Sequence, residues 1–274
     1  MAAAIRTSIV ILLALAIAGG IGSWAAGGFF SARGSLGPTV LQSQSPVYAL
    51  AGVVLTVCIV AVLGGFLSRL TSVLTGMFLV GFALFAMTLQ LQGATEFVLS
   101  EGNIYILITE SVVIALVVLV GGMIVFAIGG PLGDVQQVEE GQQPSARISD
   151  TLFIAIAIIP VVYLIATTPE KGQVIGATAV GGLAIGFLVR ICTPTLQPVF
   201  IFAIPTAIGG AGYFIAMMMG PVDDIALVQQ SISPLLYPMP LDYAAGSVMG
   251  ISIGLSWAAS FAKPKEVEQA KSHT

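Results

Sequence analysis

The feature that most constrains this chain is a series of long apolar stretches. An α-helix needs roughly 20 apolar residues to cross about 30 Å of hydrocarbon. Stretches near that length occur eight times, at about 5–22, 47–67, 72–92, 104–129, 150–167, 173–192, 197–219 and 242–262. No alternating pattern of the kind found in transmembrane β-strands competes with them. The sequence therefore predicts an all-α integral membrane protein with about eight transmembrane helices.

The composition supports this class and argues against several functions. The chain is 57% hydrophobic and only 8% charged, too little charge to cover the surface of a soluble domain of this size. It carries no basic patch, so we expect no nucleic-acid partner. Its single histidine, His273, lies near the C-terminus, which leaves no residues for a bis-histidine haem, a histidine-bound metal or a serine–histidine dyad. We expect no cofactor, no bound metal and no enzymatic activity.

The distribution of lysine and arginine predicts the orientation in the membrane. If the N-terminus is cytoplasmic, seven of the nine basic residues fall on the cytoplasmic side and only Arg33 and Lys171 fall outside. Cytoplasmic loops of membrane proteins carry such an excess. Both termini are therefore predicted to be cytoplasmic, in an inner or other cell membrane. Residues 1–26 have the layout of a signal peptide, but we expect a retained first helix because the segment has a counterpart after residue 147.

That counterpart belongs to an internal repeat. Gly-Phe-Leu-Ser-Arg at 65–69 returns as Gly-Phe-Leu-Val-Arg at 186–190, which aligns Arg69 with Arg190. The stretch from Arg6 to Ile17 similarly aligns Arg6 with Arg147. The sequence predicts two tandem, parallel four-helix membrane units, because units with an even number of spans face the same way. The first covers 1–130, a cytoplasmic linker covers 131–149, and the second covers 150–274 with a short cytoplasmic tail.

Glu110 is a candidate intramembrane polar site. It lies about seven residues into the fourth apolar stretch, and a charge facing lipid there would be costly. Gln90 and Gln92, near the end of the third stretch, lie at a compatible depth to bond it. Glu110 is either a cation or proton site or a structural carboxyl held by neighbouring amides, and we expect the structural role. On that view Glu110→Gln leaves folding unaffected and Glu110→Leu does not.

Two further patterns indicate contact surfaces. Small residues recur at every fourth position in the last and the sixth stretches. They are Gly246, Gly250, Gly254, Gly182 and Gly186. Such a stripe lets another helix approach closely, and that helix belongs either to the same chain or to a partner or second copy. The outer segment 220–241 mixes apolar residues with an acidic set formed by Asp223, Asp224 and Asp242. It is predicted to be a re-entrant, interfacial or docking segment, and a calcium site at the adjacent aspartates is disfavoured against a solvated turn.

Two functions of different classes remain open. The first is a non-catalytic membrane-embedded anchor or scaffold subunit of a larger assembly, with membrane lipid and protein partners or a homo-oligomer as its contacts. The alternative is a small-solute or ion transporter, a permease or channel, built from the parallel repeat. We favour the anchor because intramembrane charge is nearly absent.

Overall fold

The computed structural model describes residues 2–31, 33–133 and 148–261, and within these ranges the chain is helical without a β-strand. The helices in chain order are α1 (Ala2–Ala25), α2 (Pro46–Leu70), α3 (Val73–Thr88), α4 (Ala94–Leu99), α5 (Ile104–Gly129), α6 (Ile148–Ala155), α7 (Ile158–Ile165), α8 (Lys171–Cys192), α9 (Ile204–Met219), α10 (Asp224–Val228) and α11 (Pro240–Phe261). Short 3-10 turns precede α9 and α11 and follow α1.

Six helices of the described chain are long and apolar enough to cross a membrane, which indicates a multi-pass membrane protein. They cover 5–28, 46–70, 104–129, 171–192, 200–219 and 240–261. The other two predicted spans are shorter than expected. α3 ends at Thr88, so its 16 residues reach only about 24 Å. The predicted span 150–167 is interrupted between α6 and α7, because Pro160 has no N–H to donate and its ring crowds the carbonyl of Ile156.

Local sequence explains the helix ends at both sides of the bundle. The side chain of Ser72 accepts the N–H of Thr75 and caps α3, and the side chain of Asn103 accepts N–H groups at the start of α5. Such caps satisfy amides that a helix leaves unpaired. α5 ends at Gly129, and the next residue, Gly130, has a φ of 92° that favours glycine.

The helices pack around α11, the most buried of the six long helices. α11 packs along α8 on one side and α3 on the other, and it also meets α5 and α9. α2 packs on α3 and α5, and α1 lies against α3. The contacts of α3 with α11 and of α5 with α9 join the two halves of the chain into one bundle.

The bundle has two distinct ends. At one end, which we call the linker end, four helices terminate: α2, α5, α8 and α11. There Arg69 Nε donates to the carbonyl of Ile128 at 2.9 Å, and the rings of Phe187 and Phe261 meet edge to face. At the other lie the described residues of segments 26–45, 89–103 and 220–239. We call these three segments the cap, and this end the cap end.

Candidate functional site

A buried ion pair joins three helices at the cap end. Lys171 Nζ lies 2.9 Å from Asp242 Oδ1 and 3.0 Å from Oδ2, and it also donates to Thr88 Oγ1 at 3.3 Å. The Asp242 side chain is fully buried, whereas that of Lys171 keeps 18% exposure. The pair ties the start of α8 to the start of α11, and Thr88 adds the end of α3 by donating its hydroxyl to Asp242.

The position of Asp242 in the first turn of α11 explains how its charge is accommodated. Met239 N donates to Asp242 Oδ2 at 2.9 Å, which satisfies an amide at the helix start. A carboxylate there also interacts favourably with the helix dipole. The backbone carbonyl of Asp242 accepts the Thr178 hydroxyl at 3.0 Å. Asp242 is therefore buried in the first turn of α11, apart from Asp223 and Asp224, with which the sequence analysis grouped it in one outer acidic set.

Glu110 is fully buried and holds part of the cap. Its Oε1 accepts the backbone N–H of Val40 at 2.9 Å and its Oε2 accepts that of Leu41 at 2.8 Å. Both oxygens therefore act as acceptors, and a glutamine would direct its own N–H groups at one of these amides. This geometry changes the expected outcome of Glu110→Gln from neutral to destabilising, because one buried donor would lose its acceptor.

Gln90 and Gln92 do not bond Glu110. Both lie beyond the end of α3 with exposed side chains, and the backbone N–H of Gln92 donates to the Leu36 carbonyl at 3.0 Å. The expected amide partners are thus replaced by main-chain amides of the first cap segment.

Further hydrogen bonds connect the cap segments to one another. Asn103 N donates to Gln42 Oε1 at 2.6 Å, and Gln42 Nε2 donates to the Asn103 carbonyl at 3.2 Å. Arg33 pairs with Glu96 at 3.6 Å. In the third segment, burial raises the pKa of the Tyr237 phenol, so this group stays neutral at physiological pH.

Two buried tyrosines meet beneath the cap, where α9 packs on α11. The Tyr213 hydroxyl donates to the Pro238 carbonyl at 2.5 Å, and its ring packs edge to face on Tyr243 with centroids 6.0 Å apart. The hydroxyls of Tyr243, Thr206 and Ser247 are buried and have no hydrogen-bond partner among the described residues. Such groups are uncommon in a folded interior and mark places where a water or ligand can bind.

The glycine stripes of α8 and α11 face each other. A Cβ on Gly250 would lie 2.1 Å from the Ala179 carbonyl oxygen, and one on Gly254 would lie 2.2 Å from that of Leu183. The same close approach to the opposite helix occurs at Gly246, Gly182 and Gly186. Within one chain these stripes therefore pack α8 on α11, and their surfaces are covered.

The remaining predicted residues lie apart from these clusters. Arg69 and Arg190 both occupy last turns at the linker end, where Arg69 is exposed and Arg190 is buried. Arg6 is exposed near the start of α1, and Arg147 lies outside the described residues. Asp223 caps α10 by accepting the N–H of Ala226, and Asp224 bonds its neighbouring backbone.

Sequence reasoning missed Lys171, Thr88, Tyr213 and Tyr243 as members of buried polar clusters. One signal was available, because Lys171 and Asp242 both stand at the start of an apolar stretch that follows a predicted outer loop. Among the described residues, no group of three or more His, Cys, Asp or Glu side chains could hold a metal ion.

No protein-family model matches the chain, and neither the curated proteins nor the solved structures yield a match.

Proposed function

We propose that the protein is a non-catalytic membrane anchor that presents its cap to a protein partner outside the bilayer, as a subunit of a larger assembly. The observation that carries this proposal is the pair of hydrogen bonds from the backbone of Val40 and Leu41 to Glu110. A carboxyl group inside a membrane helix is costly, and here it serves to hold an irregular segment in one conformation.

The cap has the properties of a recognition surface. Ordering each residue of an irregular segment costs about 1–2 kcal/mol of backbone entropy, and long ordered loops in compact proteins are usually functional. The cap is tied in its first two segments by Glu110, by the reciprocal Gln42–Asn103 bonds and by the Arg33–Glu96 pair, and its third segment contacts the second through α10 and α4. It also exposes large apolar side chains, including Val228 at 84% and Ile225 at 63%. A preorganised surface of this kind binds a partner with little further ordering.

We further propose eight spans arranged as two parallel four-helix units, with the cap outside and both termini in the cytoplasm. The six long helices are supplemented by α3 and by α6 with α7 as shorter spans. The repeat is supported by Arg69 and Arg190, which end equivalent helices at one end of the bundle. In the repeat, α3 of the first unit corresponds to α9 of the second, and α5 corresponds to α11. A contact between α3 and α11 should therefore be matched by one between α9 and α5, and both contacts occur. The packing of α2 on α3 lacks an equally extensive counterpart between α8 and α9.

Site-specific photo-crosslinking in the native membrane tests the anchor. A photoreactive residue at Val228 should give one dominant protein adduct with a chain of different sequence. The same residue at Val120, an exposed position within α5, should react only with lipid. Equal protein adducts at both positions, or none at Val228, would contradict the proposal.

The second candidate, transport of a small solute or ion, is favoured by the buried hydroxyls of Tyr243, Thr206 and Ser247 in α9 and α11, three of the four without a partner among the described residues. Tyr243 adjoins Asp242 in α11, so these groups could form part of a pathway for a small cation or for protons. Transport predicts flux into proteoliposomes that falls in Tyr243→Phe without loss of folding. The anchor predicts no protein-dependent flux in either protein.

A further inference from the structure

Two grooves lie side by side on the bundle surface near the linker end. The larger, about 600 Å³, runs along α11 between α3 and α8; the smaller, about 390 Å³, lies between α8 and α11. Leu183 and Trp257 border both grooves. The Trp257 side chain is 55% exposed and braced edge to face by Phe187, so it forms the wall between them.

The linings of the two grooves differ in chemistry. The smaller is lined only by apolar side chains, among them Phe187, Leu188 and Phe261. The larger has apolar walls and a row of hydroxyls contributed by Ser252, Ser256 and Ser260 of α11 and by Ser72 and Thr75 at the start of α3.

One of these hydroxyls has no partner. Ser252 and Ser260 donate to carbonyls of their own helix. The exposed Ser256 makes no hydrogen bond within the part of the chain that the structure describes. A hydroxyl on a membrane helix needs an acceptor, because hydrocarbon supplies none.

The dimensions and position of the grooves match one leaflet of a bilayer. Ser252 and Ser260 lie eight residues apart on α11, a rise of about 12 Å, against roughly 15 Å for half of the hydrocarbon core. The groove reaches Ser72, the N-cap of α3. Its side chain caps the amide of Thr75, which leaves the amides of Val73 and Leu74 at the helix start to attract an anion. Tryptophan is also enriched at the membrane–water boundary.

We propose that these grooves bind one two-chain phospholipid astride Trp257, with one acyl chain in each groove and the phosphate near Ser260 and the start of α3. The ester oxygens of the lipid provide the acceptor for Ser256. A helix from a second copy, about 10 Å wide, cannot occupy both grooves because Trp257 stands between them. Two thin acyl chains can.

The chain contains two tryptophans, and their positions allow a direct test. Trp24→Phe leaves Trp257 as the only tryptophan, and Trp257→Phe leaves Trp24, which is 82% exposed near the cap end. Each full-length variant is titrated in detergent micelles with a phospholipid brominated in its acyl chains, which quenches nearby indole fluorescence. Trp257 should be half quenched at about one tenth of the lipid concentration that Trp24 requires, a difference of about 1.4 kcal/mol.

Groove-filling changes distinguish a bound lipid from surrounding lipid. In the Trp24→Phe background, Ser256→Leu should remove the tighter quenching, whereas Val120→Leu on exposed α5 should leave it unchanged. Ala184→Phe, which fills the smaller groove, provides an independent test if Ser256→Leu does not fold. Equal quenching of the two tryptophans, or no effect of either groove change, would overturn the proposal. So would a Trp257 signal that responds to protein concentration and dimer formation in native mass spectrometry instead of to lipid.

Discussion

Replacing Lys171 by methionine should destabilise the protein far more than removing an exposed charge. The change would leave the fully buried Asp242 without its cation. Breaking a buried pair in this way typically costs about 3–5 kcal/mol. We expect the lower end, about 3 kcal/mol, because Asp242 would keep the Thr88 hydroxyl and the Met239 amide as donors.

A double-mutant cycle isolates the contribution of the pair. Asp242→Asn alone should cost about 1–2 kcal/mol, because Lys171 is partly exposed and its freed ammonium can reach water. The double variant Lys171→Met with Asp242→Asn has no unpaired charge and should be more stable than Lys171→Met alone. The resulting coupling energy should be about 2–3 kcal/mol.

The assay is reversible unfolding in mixed micelles of sodium dodecyl sulfate and a mild detergent, followed by far-UV circular dichroism. Arg33→Ala is the matched control, since Arg33 pairs with Glu96 at 3.6 Å with 52% of its side chain exposed. Exposed pairs contribute about 0–1 kcal/mol. If Lys171→Met costs no more than Arg33→Ala, or if the two changes at the buried pair are additive, the reasoning is refuted.

Three further outcomes are expected. Gly250→Ala should lower the free energy of unfolding by about 1–3 kcal/mol, because the added Cβ would meet a backbone carbonyl of α8. Gly176 has open space around it, so Gly176→Ala should not lower the free energy of unfolding. Equal effects of the two changes would contradict the packing of α8 on α11. Glu110→Leu should speed hydrogen exchange of the cap amides at 36–45 while helix content is retained, and Glu110→Gln should give an intermediate exchange rate. Unchanged exchange in both variants would show that Glu110 does not hold the first cap segment. In a variant without native cysteines, an impermeant maleimide should label Ser100→Cys but not Gly141→Cys in intact cells, and the reverse would invert the topology.

The helices could be predicted from the sequence because a membrane imposes a length and a composition on each crossing. Two departures have physical causes. α3 ends at Thr88 because the residues that follow turn and bond the first cap segment, as the Gln92 amide does with the Leu36 carbonyl. The break before α7 follows from Pro160, and this signal is present in the sequence.

The site was less predictable than the fold. Burial of Glu110 could be expected from the cost of a charge in lipid, but its partners are backbone amides of a distant segment, and these carry no sequence signature. The Lys171–Asp242 pair joins residues on different helices, and their adjacency depends on how closely the glycines let α8 and α11 approach.

The most direct test of the anchor is native mass spectrometry of the protein extracted with its surrounding lipid from its own membrane. The account predicts a complex with a non-identical chain in fixed stoichiometry. That chain should be lost in Glu110→Leu, where the first cap segment is released, and kept in Val120→Leu, where it is not. A lone chain or a homomer with an intact cap, together with protein-dependent flux in proteoliposomes, would contradict the account.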